Sequence, residues 1–495
     1  MKSKYVASLL LVSLIVVGCG DSSGNPSDSY EPPISVISSY VPPTSIEVED
    51  VELDIFGLND LHGSIEYLSG NQTEYGMYKI GSYLRAQEAL NPGGVINVDA
   101  GDMWQGSADS NITNGKVLVE MLNSLNWAAT TLGNHEFDWY DTTIAENREL
   151  AQYPFLGANI KNKTTGAFAD NLVDAPSVMI ERNGVKVGII GTVGSRLESS
   201  ILPSAVANYS FEPVTNYIID ESNKLRADGA NLIILLTHDS LTGYSSSGEY
   251  GPILEPSGNR DPLVDVVFTG HEHAYDRQLI NGVPVLQTNG NSKQLMHVNL
   301  TVGQQGVTLN TYELLDTELL YMTDDVQLQE VYAKYSDEIS FVKDEVVGEL
   351  TSYLGKTPLV KLANRTMLEA ATEEYPVDVA IHNFGGVRVS GIDAGQVTFG
   401  DIYKAFPFDN TVVIVKNVPG SEVSTAMSGN GYYLRPGLTS IIASGTYNVV
   451  TINYISESNY NNFKAYPQSV LENVFVRDLV AEYFRTNEIV DPNQI

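Results

Sequence analysis

Four apolar runs in this chain break off into short polar clusters that carry histidine or aspartate, three of them beside glycine or asparagine. Residues 51–58 lead into Asn59-Asp60-Leu61-His62-Gly63, and residues 95–98 into Asp99-Ala100-Gly101-Asp102. Residues 232–236 lead into Thr237-His238-Asp239, and residues 264–268 into Gly270-His271-Glu272-His273. A fifth cluster is Gly133-Asn134-His135-Glu136-Phe137-Asp138. Five of the seven histidines lie in these clusters. Short apolar runs bounded by turn residues read as buried strands, and residues 185–190 form another. Residues 79–90 and 115–125 between them carry helical spacing. Strand and helix in alternation predict α/β layers. In open α/β sheets, sites form beyond the carboxyl ends of strands, where these clusters fall.

The residue types suit divalent cations. Asp60 and His62, two apart on an extended chain, point to one side, so a carboxylate and an imidazole can grip one ion. His271 and His273 repeat that spacing. Asp102 follows a glycine turn and can bridge two ions. Asn134 offers an amide oxygen. His135 is its neighbour, so its ring is expected to aim elsewhere, towards substrate.

The chain has 495 residues and a net charge of −33. Its length predicts two or three domains. Its charge argues against binding a nucleic-acid polymer or an anionic membrane surface, since both would be repelled. An anionic substrate then needs cations or arginines held locally. The single cysteine, Cys19, excludes an intrachain disulfide. It follows a basic start, an apolar run over residues 5–17 and Gly18, and so resembles a bacterial lipobox; an ordinary signal peptide or an N-terminal membrane helix is the alternative. The expectation is a signal peptide over 1–18, lipidation at Cys19 and a Ser/Pro/Gly-rich tether over 19–46. The membrane would then be met only through that anchor, in the bacterial cell envelope, on its periplasmic or cell-surface face. No later segment is apolar for long enough to span a bilayer.

The order Asp-x-His, Gly-Asp, Gly-Asn-His-Glu, His, Gly-His-x-His resembles the calcineurin-like metallophosphoesterases. Residues 55–63, Gly101-Asp102-Met103-Trp104-Gln105-Gly106-Ser107 and Phe155-Leu156-Gly157-Ala158-Asn159 narrow the likeness to the 5′-nucleotidase family, which includes bacterial UDP-sugar hydrolases. Asn383-Phe384-Gly385-Gly386-Val387-Arg388 and Phe406-Pro407-Phe408-Asp409-Asn410 extend it into the second half. The resemblance implies a four-layer αββα domain over 47–318 and a smaller α+β substrate-binding domain over 347–495. A long linker helix is expected within 319–346, from residues 322 to 346. In the second half, helices are expected at 365–371 and 420–427, and strands at 411–415 and 446–454.

The resemblance implies that Asp60, His62, Asp102 and His273 hold one divalent ion, and that Asp102, Asn134, His238 and His271 hold the other. Zn, Mn or Co suit such mixed donors, with Mg as a further candidate. His135 would stabilise the transferring phosphoryl group, and Asp138 would orient it; a helix N-cap is the other reading of Asp138. Asn383, Gly386, Arg388, Phe408, Asn410 and Tyr454 would bind a nucleotide. By residue type alone, Phe408 and Tyr454 read better as core aromatics; the motif around Phe408 reverses that reading, and nothing around Tyr454 does. Two features depart from the family. Its Gly-Gly-Asp-Gly segment is replaced by Ser456-Glu457-Ser458-Asn459-Tyr460, and its upstream phosphate-binding arginine has only Lys356, Lys361 and Arg365 as candidates. The expected activity is nucleotide dephosphorylation. UDP-sugars or 2′,3′-cyclic nucleotides are alternative substrates, and a non-catalytic surface binding protein is an alternative of another class. With ions and nucleotide pocket on separate domains, movement about the linker helix is expected.

Overall fold

The strand at Val51–Leu58 sets the pattern for the first domain: Leu53 and Ile55 face one way, Phe56 and Leu58 the other, and all four are buried. A strand buried on both faces belongs inside a layered sheet. The computed structural model, which describes residues 50–69, 73–255, 262–304, 306–459 and 461–495, shows that layering. The expected signal peptide, the tether and Cys19 lie outside the described residues, as does Tyr460.

Two six-stranded sheets lie face to face. In the first, Val51–Leu58, Val95–Asp99, Trp127–Thr131 and Phe155–Leu156 run parallel, and Leu295–Gly303 adds an antiparallel strand beside Val51–Leu58. In the second, Val185–Val193, Leu232–His238, Val266–Thr269 and Val283–Gln287 run parallel between antiparallel edges. Ile55, Val98, Ile189, Leu236 and Phe268 fill the space between the sheets. The helices Gly76–Leu90 and Lys116–Ser124 cover the outer face of the first sheet. Val214–Ala227 covers that of the second. This is the expected αββα order.

The second domain has a five-stranded sheet, with Val379–His382 between Gly431–Leu434 and Thr446–Ile452, followed by Thr411–Pro419 and Gln468–Phe475. The helices Lys356–Glu374 and Val476–Asn487 pack on it. Gly420–Met427 is helical as expected, and residues 365–371 lie within the longer Lys356–Glu374 helix. All described residues fall in one compact unit. Among them, no helix is long and apolar enough to cross a membrane.

Two expectations need correction. Residues 322–346 do not form one helix. They form Val326–Ala333 and Ser336–Lys343, and a strand starts at Val346. Tertiary contacts explain the break. Asp325 caps Leu328 N at 2.9 Å and takes Arg85 Nε at 2.6 Å, while Tyr335 Oη donates to Glu120 at 2.7 Å. The segment is tied down along the first domain, and short helices follow such contacts more than propensity. The strand read over 446–454 stops at Ile452. Asn453 starts a helical turn, Asn453–Glu457, and its Oδ1 accepts Tyr454 N at 3.0 Å.

One buried charge group makes the stability of this domain depend on pH. His297 stacks on Phe56 at 4.5 Å between ring centroids, with Nε2 2.9 Å from Asp54 and Nδ1 3.1 Å from Glu313. Burial opposes the imidazolium, but hydrogen bonds to Asp54 and Glu313 outweigh it and raise the pKa above 6.5. Burial also opposes the Asp54 carboxylate, yet His297, Asn91 and Asn299 bring its pKa down to about 2. A raised histidine stabilises fully below its ordinary value and loses that contribution as pH rises through the folded value. A depressed aspartate stabilises above 3.8 and loses its contribution as pH falls towards about 2. Denaturant unfolding of wild type and His297→Gln should therefore differ most at roughly pH 4–6.5 and converge above that range. A gap that widens as pH rises to about 9 would contradict this account.

Candidate active site

At the carboxyl end of the two sheets, the polar clusters meet. Two groups of ligand atoms converge: Asp60, His62 and His273, and Asp102, His238 and His271. The atoms in each group lie within 4.8 Å of one another. Asn134 joins the second group, with Oδ1 2.8 Å from His271 Nδ1. All seven residues expected to bind metal are therefore brought together; Asp102, expected in both sets, joins His238 and His271, and Asn134 stands beside that group.

The local backbone differs from the expectation. Asp60 and His62 are not on an extended chain: their φ angles are 49° and 50°, in the left-handed region. Asp102, His271 and His273 share it, at 57°, 78° and 49°. These left-handed residues all lie in the short loops that follow the strands ending at Leu58, Asp99 and Thr269. His271 and His273 belong to different groups.

The donor atoms are oriented from behind. His62 Nδ1 donates to the Gln105 carbonyl at 2.7 Å, and His238 Nδ1 to the Ala100 carbonyl at 2.6 Å. Both Nε2 atoms are thereby turned to the centre, the side a metal ligand uses. Burial keeps the His62 ring neutral, whereas at His238 burial is outweighed by Asp102, which raises the pKa to about 10, so a cation bound there would take the place of the Nε2 proton. Asp60 Oδ2 accepts from Asn59 Nδ2 at 2.6 Å and from His271 N at 2.9 Å. Its Oδ1 is buried without a hydrogen-bond partner, and so is His238 Nε2. His238 Nε2 stands 3.1 Å from Asp102 Oδ2, outside hydrogen-bond geometry. Buried polar atoms rarely go unpartnered. Here the orphaned atoms face a space ringed by other lone pairs, which fits two divalent cations.

The electrostatics agree. Burial would raise Asp102, but His238 and His135 hold it well below the carboxylate range. Burial, His273 and Arg388 keep His62 neutral. Glu136, inside the third motif, had no role assigned from sequence. It accepts the N–H groups of Asp102, Met103 and Gly133 at 2.9, 2.8 and 2.7 Å, joining two ligand loops.

His135 belongs to neither ligand group and lines the cleft beside them. Its Nδ1 is 2.8 Å from Asp138 Oδ2. Burial opposes its cation, but Asp138 and Asp102 outweigh burial and raise its pKa. Asp138 lies within the 3-10 turn His135–Trp139 and pairs with the imidazole rather than capping a helix. The His135 ring is 5.3 Å from that of His62 and 5.4 Å from that of Phe408.

That last contact joins the two domains. A cleft of about 240 Å³ is lined by Asn134, His135 and His271 on one side and by Asn383, Gly386, Arg388, Phe408, Asn410 and Tyr454 on the other. Every expected substrate residue is present. Arg388 Nη2 lies 3.4 Å from His62 Nε2. Asn134 and His271 thus share one cleft with the recognition residues, and Arg388 approaches the other ligand group at His62. Ser200, Leu202, Asp409 and Asn453 also line the cleft. Asp409 lies within the 406–410 motif but had no role assigned from sequence; no motif marked Ser200, Leu202 or Asn453, and Ser200 and Asn453 reach the cleft from helical turns, Ser195–Ser200 and Asn453–Glu457. Of the candidates for the missing arginine, Lys361 bonds the Ile495 carbonyl and Arg365 pairs with Glu369. Lys356 stands nearer, its N–H bonded to Ser390 O, and burial and Arg388 lower its pKa.

Residues 53–275 match the calcineurin-like phosphoesterase family, and residues 338–438 match the 5′-nucleotidase C-terminal domain. The chain belongs to the 5′-nucleotidase family. It is 27% identical over 397 residues to Endonuclease YhcR of Bacillus subtilis (strain 168), covering 74% of this chain and 32% of that protein. This chain thus spans about a third of that relative. It is 24% identical to the 5′-nucleotidase of Vibrio cholerae serotype O1, over 80% of this chain and 77% of the relative. The fold matches the 5′-nucleotidase precursor from Thermus thermophilus with a TM-score of 0.73 at 20% identity, over 89% of this chain and 97% of the other.

Gly133 offers a direct check on this family's ligand cage. A Cβ there would lie 2.1 Å from Asp102 Oδ1 and 2.6 Å from its backbone nitrogen. Gly133→Ala removes no ligand, yet it should displace Asp102. Metal analysis should show it holding fewer ions than wild type, and full occupancy would mean the loop spacing is not critical.

Proposed function

We propose that this protein is a two-metal phosphohydrolase that releases phosphate from nucleotides, with nucleoside 5′-phosphates as its leading substrates. The observation that carries this reading is the shared cleft: Asn134, His135 and His271 line it opposite Arg388, Phe408 and Tyr454, and Arg388 reaches within 3.4 Å of His62 in the other ligand group. Mixed nitrogen and oxygen donors favour Zn²⁺, Mn²⁺ or Co²⁺. Two such cations supply Lewis acidity, polarising phosphoryl oxygens and making water acidic enough to ionise near neutral pH.

The chain's own groups do the rest. Asp138 accepts from His135 Nδ1, which leaves Nε2 free to donate to a phosphoryl oxygen as negative charge builds. Arg388 clamps a phosphate or the ribose side of it, with its guanidinium 5.7 Å from the Phe408 ring centroid. Phe408 and Tyr454 line the same cleft, which supports stacking on a base at roughly 1–3 kcal/mol per base. The Asn383 and Asn410 amides offer hydrogen bonds to base or ribose. The relatives and neighbour named 5′-nucleotidase support this substrate class.

The envelope location is part of the proposal. It rests on the basic start, the apolar run and Gly18-Cys19. Acyl labelling of wild type but not of Cys19→Ser tests it.

Phosphate release from AMP, ATP, UDP-glucose and 2′,3′-cyclic AMP, with Zn²⁺, Mn²⁺ and Mg²⁺ compared, tests the activity. AMP should be split fastest. His135→Ala should keep both ions and lose on the order of 10²–10³ in kcat. No release from any nucleotide, or loss of ions in His135→Ala, would overturn the reading or the role of His135 respectively.

A further inference from the structure

One buried amide joins the two walls of the cleft. Asn111 closes the short helix Ala108–Asn111 and is 4% exposed. Its Oδ1 accepts Gly106 N at 2.8 Å, and its Nδ2 donates to the Pro407 carbonyl at 2.9 Å. Gly106 presses on the first ligand loop, where a Cβ would sit 2.4 Å from His62 O. The residue before it, Gln105, fixes the His62 ring. Pro407 immediately precedes Phe408. A single side chain therefore runs from the loop that orients a ligand to the loop that presents the aromatic.

The far side of that loop is held within its own domain. Arg477 donates Nη1 to Phe408 O at 3.2 Å and pairs with Asp409. Its guanidinium lies 4.2 Å from the Tyr403 ring centroid, and Tyr403 hydrogen-bonds Asn111. Arg477 thus fixes the loop to its own sheet. Asn111 alone in this group reaches it from the phosphoesterase domain.

We propose that Asn111 is a positioning residue that sets the spacing between the ligand groups and Phe408, so that nucleotide recognition depends on it while hydrolysis of a base-free ester does not. This rests on the reading that Phe408 stacks on a nucleobase. A buried donor aimed at a carbonyl fixes distance and direction together, and small misplacements of a positioning element weaken binding of the part it positions.

Asn111→Asp keeps the shape and the acceptor for Gly106 but removes the donor to Pro407, and Asn111→Ala removes both. Each is compared with wild type on AMP and on p-nitrophenyl phosphate, with metal content measured. In Asn111→Asp, KM for AMP should rise about tenfold with kcat within about twofold, while p-nitrophenyl phosphate turnover and metal content stay near wild type. Equal losses on both esters would overturn the proposal, and so would an unchanged KM for AMP. If wild type splits p-nitrophenyl phosphate but no nucleotide, the nucleotide reading fails by itself. Amide hydrogen exchange over residues 406–410 then decides: faster exchange in Asn111→Asp supports the positioning role, and unchanged exchange refutes it. The same exchange measurement decides if Asn111→Ala fails to fold.

Discussion

Five of the seven ligand residues hold a left-handed backbone, at Asp60, His62, Asp102, His271 and His273. Outside glycine this region costs roughly 1–3 kcal/mol per residue and persists only where the surroundings over-determine it. Here they do. Asn59 locks Asp60, Glu136 takes three backbone N–H groups, and Asp99 accepts from Gly101, Trp127 and Thr130. On this backbone the carboxylates and imidazoles converge into two groups whose ligand atoms lie within 4.8 Å of one another.

The same cage resolves a conflict in the chain's charge. A molecule with a net charge of −33 repels phosphates, yet its ligand residues form a site that two cations would make strongly positive. Cations of the chain itself gather nearby. Arg388 lies against His62, and the Lys356 backbone N–H bonds Ser390 O, two residues beyond Arg388. Burial lowers Lys293, with Arg388 and Lys404 adding to that effect and Glu74 opposing it. An anion entering the cleft leaves a repulsive surface for a local positive field.

Much of this was legible in the sequence, because strand ends are. Apolar runs fix where strands lie, and chemistry in α/β folds gathers at their carboxyl ends, so Asp60, Asp102, His238 and His271 declared themselves. What stayed hidden depends on contacts between distant residues. Segment 322–346 breaks where Asp325 meets Arg85 and Tyr335 meets Glu120, and neither contact leaves a local mark. The backbone at Asp60 and His62 was invisible because aspartate and histidine tolerate a left-handed conformation without requiring it. Ser200 and Leu202 reach the cleft at and just after a helical turn that no motif marked, and Tyr454 reaches it at the start of a helical turn rather than within a strand.

The account stands on two cations sitting where the orphaned donors point. Anomalous diffraction from crystals soaked in Zn²⁺ or Mn²⁺ reads this directly. Two peaks are predicted. One should lie within about 2.5 Å of donor atoms of Asp60, His62 and His273, and the other equally close to Asp102, His238 and His271. A single peak, or none, at saturating metal would contradict it.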